Sequence, residues 1–141
     1  QSRGLGDVYK RQVVMLTKEQ IRSGPGLVPV LRDAEVTVLF CPPVLLTTLT
    51  PDPHVDLPYP ICRYVVPAGE AFPSALVQPW TRGRRQIINT YGPTEASTDT
   101  SRQSLRPGEP ITIGSPFANV TYVILEDDQL HPLPHGEIGE L

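Results

Sequence analysis

Ile87-Ile88-Asn89-Thr90-Tyr91-Gly92-Pro93-Thr94-Glu95 is the stretch on which the reading of this chain turns. An apolar pair runs into a Gly-Pro turn, and a hydroxyl and a carboxylate emerge together beyond it. Such a pattern predicts a buried strand that stops, a sharp bend, and polar side chains presented at the strand's end. In open α/β sheets that end is where ligands settle. Tyr91 offers a flat ring, Thr94 a donor for an anion, and Glu95 a hard oxygen of the kind Mg²⁺ takes. Residue type leaves a plainer alternative open: a strand ends at Gly-Pro, and Thr-Glu simply starts a helix.

Working back from that stretch, residues 86–89 predict a third strand, preceded by a helix over 73–80 with Pro73 in its first turn and Leu76, Val77 and Trp80 on one face. Residues 61–66 predict a second strand that ends in Pro67-Ala68-Gly69-Glu70. Residues 36–40 are a β-branched run of strand length, closed by Cys41-Pro42-Pro43. Between them lie a short helix over 44–49 and a proline-broken loop over 50–60. Further back, Leu27, Val28, Val30, Leu31 and Ala34 fit one helix face. Residues 13–16 are a short strand candidate, and Thr17 is placed to cap the turn after it. Residues 1–12 show neither period and read as a polar tail or an assembly scar. Strand, helix, strand, helix, strand argues for a parallel sheet covered by helices.

Working forward, the character changes. Residues 97–101 alternate weakly, 105–110 form a turn-rich link, and 111–114 are short and extended. Residues 119–126 predict a strand, and Asp127-Asp128 opens a turn. Another Pro/Gly link follows over 132–139. The basic run Arg82-Gly83-Arg84-Arg85 sits between a helix and a buried strand, where it reads as a solvated turn.

Bulk properties narrow the function classes. A chain of 141 residues predicts about one domain, and its 17 Pro and 11 Gly imply short elements and frequent turns. A net charge of −3 gives no general attraction to nucleic acid or to an anionic membrane. No apolar run is long enough to span a bilayer, so a cytoplasmic protein is the default expectation. Cys41 and Cys62 are too far apart for a C-x-x-C motif and read as buried, reduced thiols. Pro132 and Pro134 break the helix that would align His131 with His135 as metal ligands. Neither G-x-S-x-G nor G-x-x-x-x-G-K-[ST] occurs, which removes two common hydrolase readings.

The string N-x-Y-G-P-T-E resembles the adenine- and phosphate-binding motif of adenylate-forming enzymes, in the form found in the amino-acid-activating adenylation domains of nonribosomal peptide synthetases. Other ordered segments resemble the same family. They are Val36-Thr37 with Pro42-Pro43, Val66 to Ala71 with its Gly-Glu turn, Ile113-Gly114-x-Pro116, the strand-like run from Asn119, and Gly136-Glu137-x-Gly139-Glu140-Leu141. The resemblance implies an α/β fold. A parallel sheet with flanking helices would be followed by a short β-rich segment, as an incomplete piece of the large N-terminal part of such an enzyme. Residues 13–141 would be a partial AMP-binding domain truncated at both ends.

The resemblance also implies a reaction. A substrate carboxylate attacks the α-phosphate of ATP·Mg²⁺, pyrophosphate leaves, and the acyl group passes from AMP to a phosphopantetheine thiol on a carrier domain. Gly69, Glu70, Ala71, Asn89, Tyr91 and Gly92 would frame adenine and the adenylate, Thr94 would donate to the α-phosphate, and Glu95 would hold Mg²⁺. Thr94 and Glu95 are thus the implied catalytic pair. Phe40, Val66, Ala68, Thr90, Thr98 and Asp99 fall at positions resembling the substrate-selecting pocket. By type alone Phe40 and Val66 favour an ordinary core, and Asp99 suits solvent as well as a pocket. An acyl- or aryl-CoA ligase and a noncatalytic nucleotide-binding remnant are the competing readings, and Pro93 in Y-G-P-T-E favours the amino-acid-activating domain over the ligase.

The family's Gly- and Ser/Thr-rich phosphate loop, its amine- and ribose-binding aspartates and its C-terminal lysine have no counterpart in these 141 residues. The expectation is therefore that the chain by itself gives no ATP–pyrophosphate exchange. Radiolabelled pyrophosphate entering ATP above the background of a Glu95→Gln control would contradict it.

Overall fold

A computed structural model describes residues 12–126 and 131–141. Residues 1–11 of the expected tail and the turn at Asp127-Asp128 lie outside the described residues. The chain builds a five-stranded mixed sheet in the order β1-β2-β3-β4-β5. β1 (Val38–Cys41), β2 (Tyr64–Pro67) and β3 (Gln86–Tyr91) run parallel, and β4 (Ser101–Leu105) and β5 (Ser115–Pro116) continue the sheet antiparallel. The expected parallel sheet and the expected β-rich segment are thus one sheet rather than two units.

Helices cover one face. α1 (Lys18–Arg22) starts at Thr17, whose hydroxyl accepts from the Gln20 backbone while the Gln20 side chain accepts from the Thr17 N–H. That reciprocal pair satisfies two N–H groups left over by the first turn. α2 (Leu27–Asp33) tolerates Pro29 because the missing N–H falls in the first turn, and it buries Leu27 and Leu31. α3 (Pro43–Leu49) buries Leu45, Leu46 and Leu49. The expected loop over 50–60 contains α4 (Pro53–Asp56), because the Asp52 carboxylate caps the N–H groups of His54 and Val55. α5 (Val77–Trp80) follows a 3₁₀ turn at Ser74–Leu76 and buries Val77 and Trp80. These side chains close on Leu39, Cys41, Val65, Ile87 and Leu105 from the sheet. Among the described residues, no helix is long and apolar enough to cross a membrane.

Several elements differ from the sequence expectation, each for a physical reason. Residues 13–16 form no strand, having none beside them among the described residues to supply hydrogen bonds; Val13, Val14 and Met15 are exposed, and Leu16 packs against the core. Residues 119–126 form no strand either. Only Leu125 makes bridges, to Pro132 and Glu140, so a β-branched run without a partner ladder is not enough. β2 begins later than expected because Cys62 adopts a left-handed φ of 48°. Its N–H still reaches Val36 O at 2.7 Å, so pairing with the segment before β1 starts there. β3 runs further than expected, through Tyr91, because β4 pairs with it as far as Tyr91↔Ser101.

The basic run is only partly the solvated turn expected of it. Arg82 and Arg84 are exposed, but Arg85 is buried. Its Nε donates to Cys62 O at 3.0 Å, and its Nη2 is shared among the carbonyls of Pro53, Leu57 and Ile61 at 3.0, 2.5 and 3.4 Å. The Trp80 ring lies 5.4 Å from its Cζ. Four carbonyls from a loop with little regular structure therefore converge on one rigid fork.

Cys41 and Cys62 are buried free thiols, as their apolar surroundings predicted. Burial pushes Cys41 up to about 12, with Cys62 adding to the effect, and pushes Cys62 up to about 11 against the lowering influence of Arg85.

Two outcomes follow from this packing. Arg85→Met strands the converging carbonyls and is expected to cost ~3–5 kcal/mol in urea unfolding, with Arg85→Lys recovering only part of it. For the thiols, the folded values lie above the ordinary 9.0, so the folded chain keeps protons that the unfolded chain releases. Their contribution is complete below pH 9.0 and is lost as pH rises through about 11 to about 12. Urea titrations across that range should show a smaller alkaline loss in Cys41→Val than in the wild type.

Candidate functional site

Three parallel strands end on one edge of the sheet, and the chain leaves each end carrying residues singled out in the sequence. β1 delivers Phe40, β2 leads into Ala68-Gly69-Glu70-Ala71, and β3 delivers Asn89-Thr90-Tyr91 and then Gly92-Pro93-Thr94-Glu95. The Thr90 hydroxyl donates to Pro67 O at 3.2 Å and ties the second exit to the third. Gly69 makes its turn with a φ of 85°, and a Cβ there would meet nothing within 4 Å. Its backbone is therefore left-handed and open to an approaching ligand.

Strand alternation sorts the expected pocket residues. Phe40 and Val66 are register partners, and the two-residue period carries the same face to Thr90 on β3. This is the face opposite the helices. Val66 and Thr90 are buried there, while Phe40 is 72% exposed. The core expected of Phe40 by type is absent because its face of the edge strand has no cover among the described residues. Ala68 is half-buried just past β2. Thr98 is exposed and Asp99 half-buried on the loop after β3.

The expected nucleotide residues divide in two. Asn89 points to the helix-covered side, and its Nδ2 donates to Thr112 O at 3.1 Å, so this amide ties down the segment before β5. Tyr91 is 37% exposed at the strand's end. Beyond it, a one-turn 3₁₀ segment, Thr94–Ala96, follows Pro93 and is closed by Ser97 in the left-handed region. Glu70, Thr94 and Glu95 are all exposed, and among the described residues their side chains form no hydrogen bond or ion pair.

Gly92 has a reason that the sequence did not disclose. A Cβ at this position would collide with the Thr98 carbonyl and come within 2.6 Å of Asp99 Cα. The loop folds back on itself, and only glycine leaves the space. Thr100 closes the base of the loop, its N–H donating to Tyr91 O at 2.7 Å. Neither Thr100 nor its partner Tyr122 stood out in the sequence, because a hydroxyl in a polar loop carries no period or motif.

The donor set fits a nucleotide with a divalent cation in part. An exposed ring, a free hydroxyl, a free carboxylate and an open glycine turn are the groups that adenine, a phosphate and Mg²⁺ would use. Among the described residues no cluster of three or more His, Cys, Asp or Glu side chains forms a metal site. A cation at Glu95 would need phosphate oxygens and water to complete its shell, which is the usual way Mg²⁺ is held.

Comparison with known proteins agrees with this geometry. The family model for AMP-binding enzymes matches residues 10–141. Novobiocin biosynthesis protein H of Streptomyces niveus is 42% identical over 120 residues, covering 84% of this chain and 19% of that protein. Tyrocidine synthase 2 of Brevibacillus parabrevis is 33% identical over 130 residues, covering 90% of this chain and 3% of its own length. The chain thus spans a fifth or less of these curated relatives. Among solved structures, an artificially fused adenylation–PCP di-domain of a nonribosomal peptide synthetase from Klebsiella oxytoca superposes with a TM-score of 0.60 at 25% identity, over 79% of this chain and 21% of that one. A matching family model over nearly the whole length, with a parallel-strand edge carrying Y-G-P-T-E, leads to one conclusion: the chain belongs to the AMP-binding enzyme family, in the form found in nonribosomal peptide synthetase adenylation domains.

Proposed function

We propose that this chain forms the adenine-, phosphate- and acyl-contacting edge of a domain that makes an aminoacyl-AMP and passes it to a phosphopantetheine thiol. The observation that carries the reading is that Tyr91, Thr94 and Glu95 are all exposed where the chain leaves the end of a parallel strand, with the Thr94 and Glu95 side chains unpartnered among the described residues. Free polar groups at the end of a buried strand are available to a ligand rather than committed to the fold.

In this reading the Tyr91 ring stacks on adenine, while the Gly69–Ala71 backbone and Gly92 border the base and the adenylate. Asn89 then acts through the segment it holds, its amide being committed to Thr112 O. The Thr94 hydroxyl donates to an α-phosphate oxygen, where negative charge builds as the carboxylate oxygen bonds to phosphorus and the bond to pyrophosphate breaks. Mg²⁺, when bound, neutralises phosphate charge, and Glu95 holds and orients it. The acyl group would lie against the sheet face away from the helices, beside exposed Phe40 and near Val66, Ala68 and Thr90, with Thr98 and Asp99 at its rim. In the second half-reaction the thiol sulfur attacks the acyl carbonyl and AMP leaves. These partners place the work in the cytoplasm, with a small amino or carboxylic acid and a carrier domain as reactants.

Titration of AMP, and of ATP with and without Mg²⁺, tests the assignment. Tyr91→Ala should weaken AMP and ATP alike by about tenfold, the loss of one stacking platform. Glu95→Gln should leave AMP affinity unchanged and abolish the gain that Mg²⁺ gives to ATP. Equal affinities in wild type and both variants would overturn the reading. Transfer of an acyl group to free coenzyme A in preference to a carrier domain would replace the acceptor with that of a CoA ligase.

A further inference from the structure

We propose that Tyr122 and Thr100 form a hydroxyl relay that positions Tyr91 for adenine, which makes both of them positioning residues; the inference rests on the nucleotide reading above. Tyr91↔Ser101 is the last rung between β3 and β4, and past it the chain opens into the loop 92–100. The Tyr91 carbonyl accepts two bonds there, both from Thr100. The N–H donates at 2.7 Å and the side-chain hydroxyl at 3.2 Å. The Thr100 Oγ1 lies 2.7 Å from the Tyr122 phenol oxygen. A threonine hydroxyl has one hydrogen, and here it goes to Tyr91 O. The order that satisfies both contacts at once is Tyr122 donating to Thr100 and Thr100 donating to Tyr91 O. Such a chain polarises along its length and strengthens each bond.

The position of the relay explains why it bears on the ligand. The carbonyl it holds belongs to the peptide plane between Tyr91 and Gly92. This plane is the joint between the strand and the loop, and Gly92 beyond it has no Cβ to restrict its torsions. Two bonds to one carbonyl fix that plane, and with it the ring of Tyr91 and the departure direction of Pro93-Thr94-Glu95. Tyr122 is half-buried and is anchored from the other side. Its segment follows Phe117, whose N–H donates to Thr100 O at 2.9 Å and whose ring lies 5.7 Å from the Arg102 guanidinium. The relay therefore braces the loop against the β5 side of the sheet.

The test uses Tyr122→Phe, Thr100→Val and Thr100→Ser, with AMP affinity by calorimetry, the thermal midpoint, and hydrogen exchange of the Thr100 amide. Tyr122→Phe and Thr100→Val are expected to weaken AMP about 3- to 10-fold, the worth of one hydrogen bond. Their combination should be no worse than Thr100→Val alone, because one relay is lost once. Thr100→Ser should restore wild-type affinity, and the thermal midpoints of Tyr122→Phe and Thr100→Val should fall by no more than the loss of one hydrogen bond accounts for. Wild-type affinity in Tyr122→Phe and Thr100→Val would overturn the proposal, as would a Thr100→Ser variant as weak as Thr100→Val. If the wild type binds no AMP, the nucleotide reading fails on its own terms. Thr100 amide exchange then decides the relay: faster exchange in Tyr122→Phe upholds it as a loop restraint, and unchanged exchange overturns it.

Discussion

The buried guanidinium of Arg85 is the interaction on which the arrangement of the strands depends. It stands directly before β3 and gathers carbonyls from Pro53, Leu57, Ile61 and Cys62, which belong to the irregular connection leading into β2. Hydrophobic burial by Leu46, Leu57, Val65, Trp80 and Ile87 supplies the larger share of the driving force. Burial has no direction, however, and would accept several placements of that connection. A planar guanidinium donating through Nε and Nη2 would not. The Arg85 fork therefore sets how the path from α4 to β2 lies against the start of β3, and so where the far ends of β2 and β3 emerge.

At those far ends the two sides of the sheet have different work. On the helix-covered side, alternation places Leu39, Val65, Ile87 and Asn89, and their side chains are consumed by the fold. On the other side stand Phe40, Val66 and Thr90, which the described helices leave uncovered. A parallel strand normally needs cover on both faces. The face away from the helices, on which Phe40 is exposed and Val66 and Thr90 are buried, is where the acyl contacts are proposed. In that proposal, stability and recognition sit on opposite faces of the same strands.

The central elements were legible because their signals are local. The β-branched run before Cys41, the apolar pair before Asn89, and the Leu27–Leu31 face each announce an element by composition and period. The end of β3 was misplaced because its last residues are held by pairing with β4, a contact between separate segments. Residues 119–126 failed in the opposite sense, having the composition of a strand but only isolated bridges, at Leu125. At the site, Tyr91, Thr94 and Glu95 could be picked out since their motif is contiguous. Arg85, Thr100 and Tyr122 could not. Their importance lies in which carbonyl or hydroxyl each one meets across the fold, and no spacing along the chain encodes that.

Gly92 meets the backbone of Thr98 and Asp99, not their side chains. The buttress behind the Tyr91-Gly92 bend is thus built from atoms that every amino acid shares. Substitutions at 98 and 99 leave that buttress in place, while any substitution at 92 removes it. Evolution of the loop can accordingly proceed by two separate routes. The side chains at 98 and 99 are free to diversify, while the backbone frame behind the bend depends on Gly92 alone.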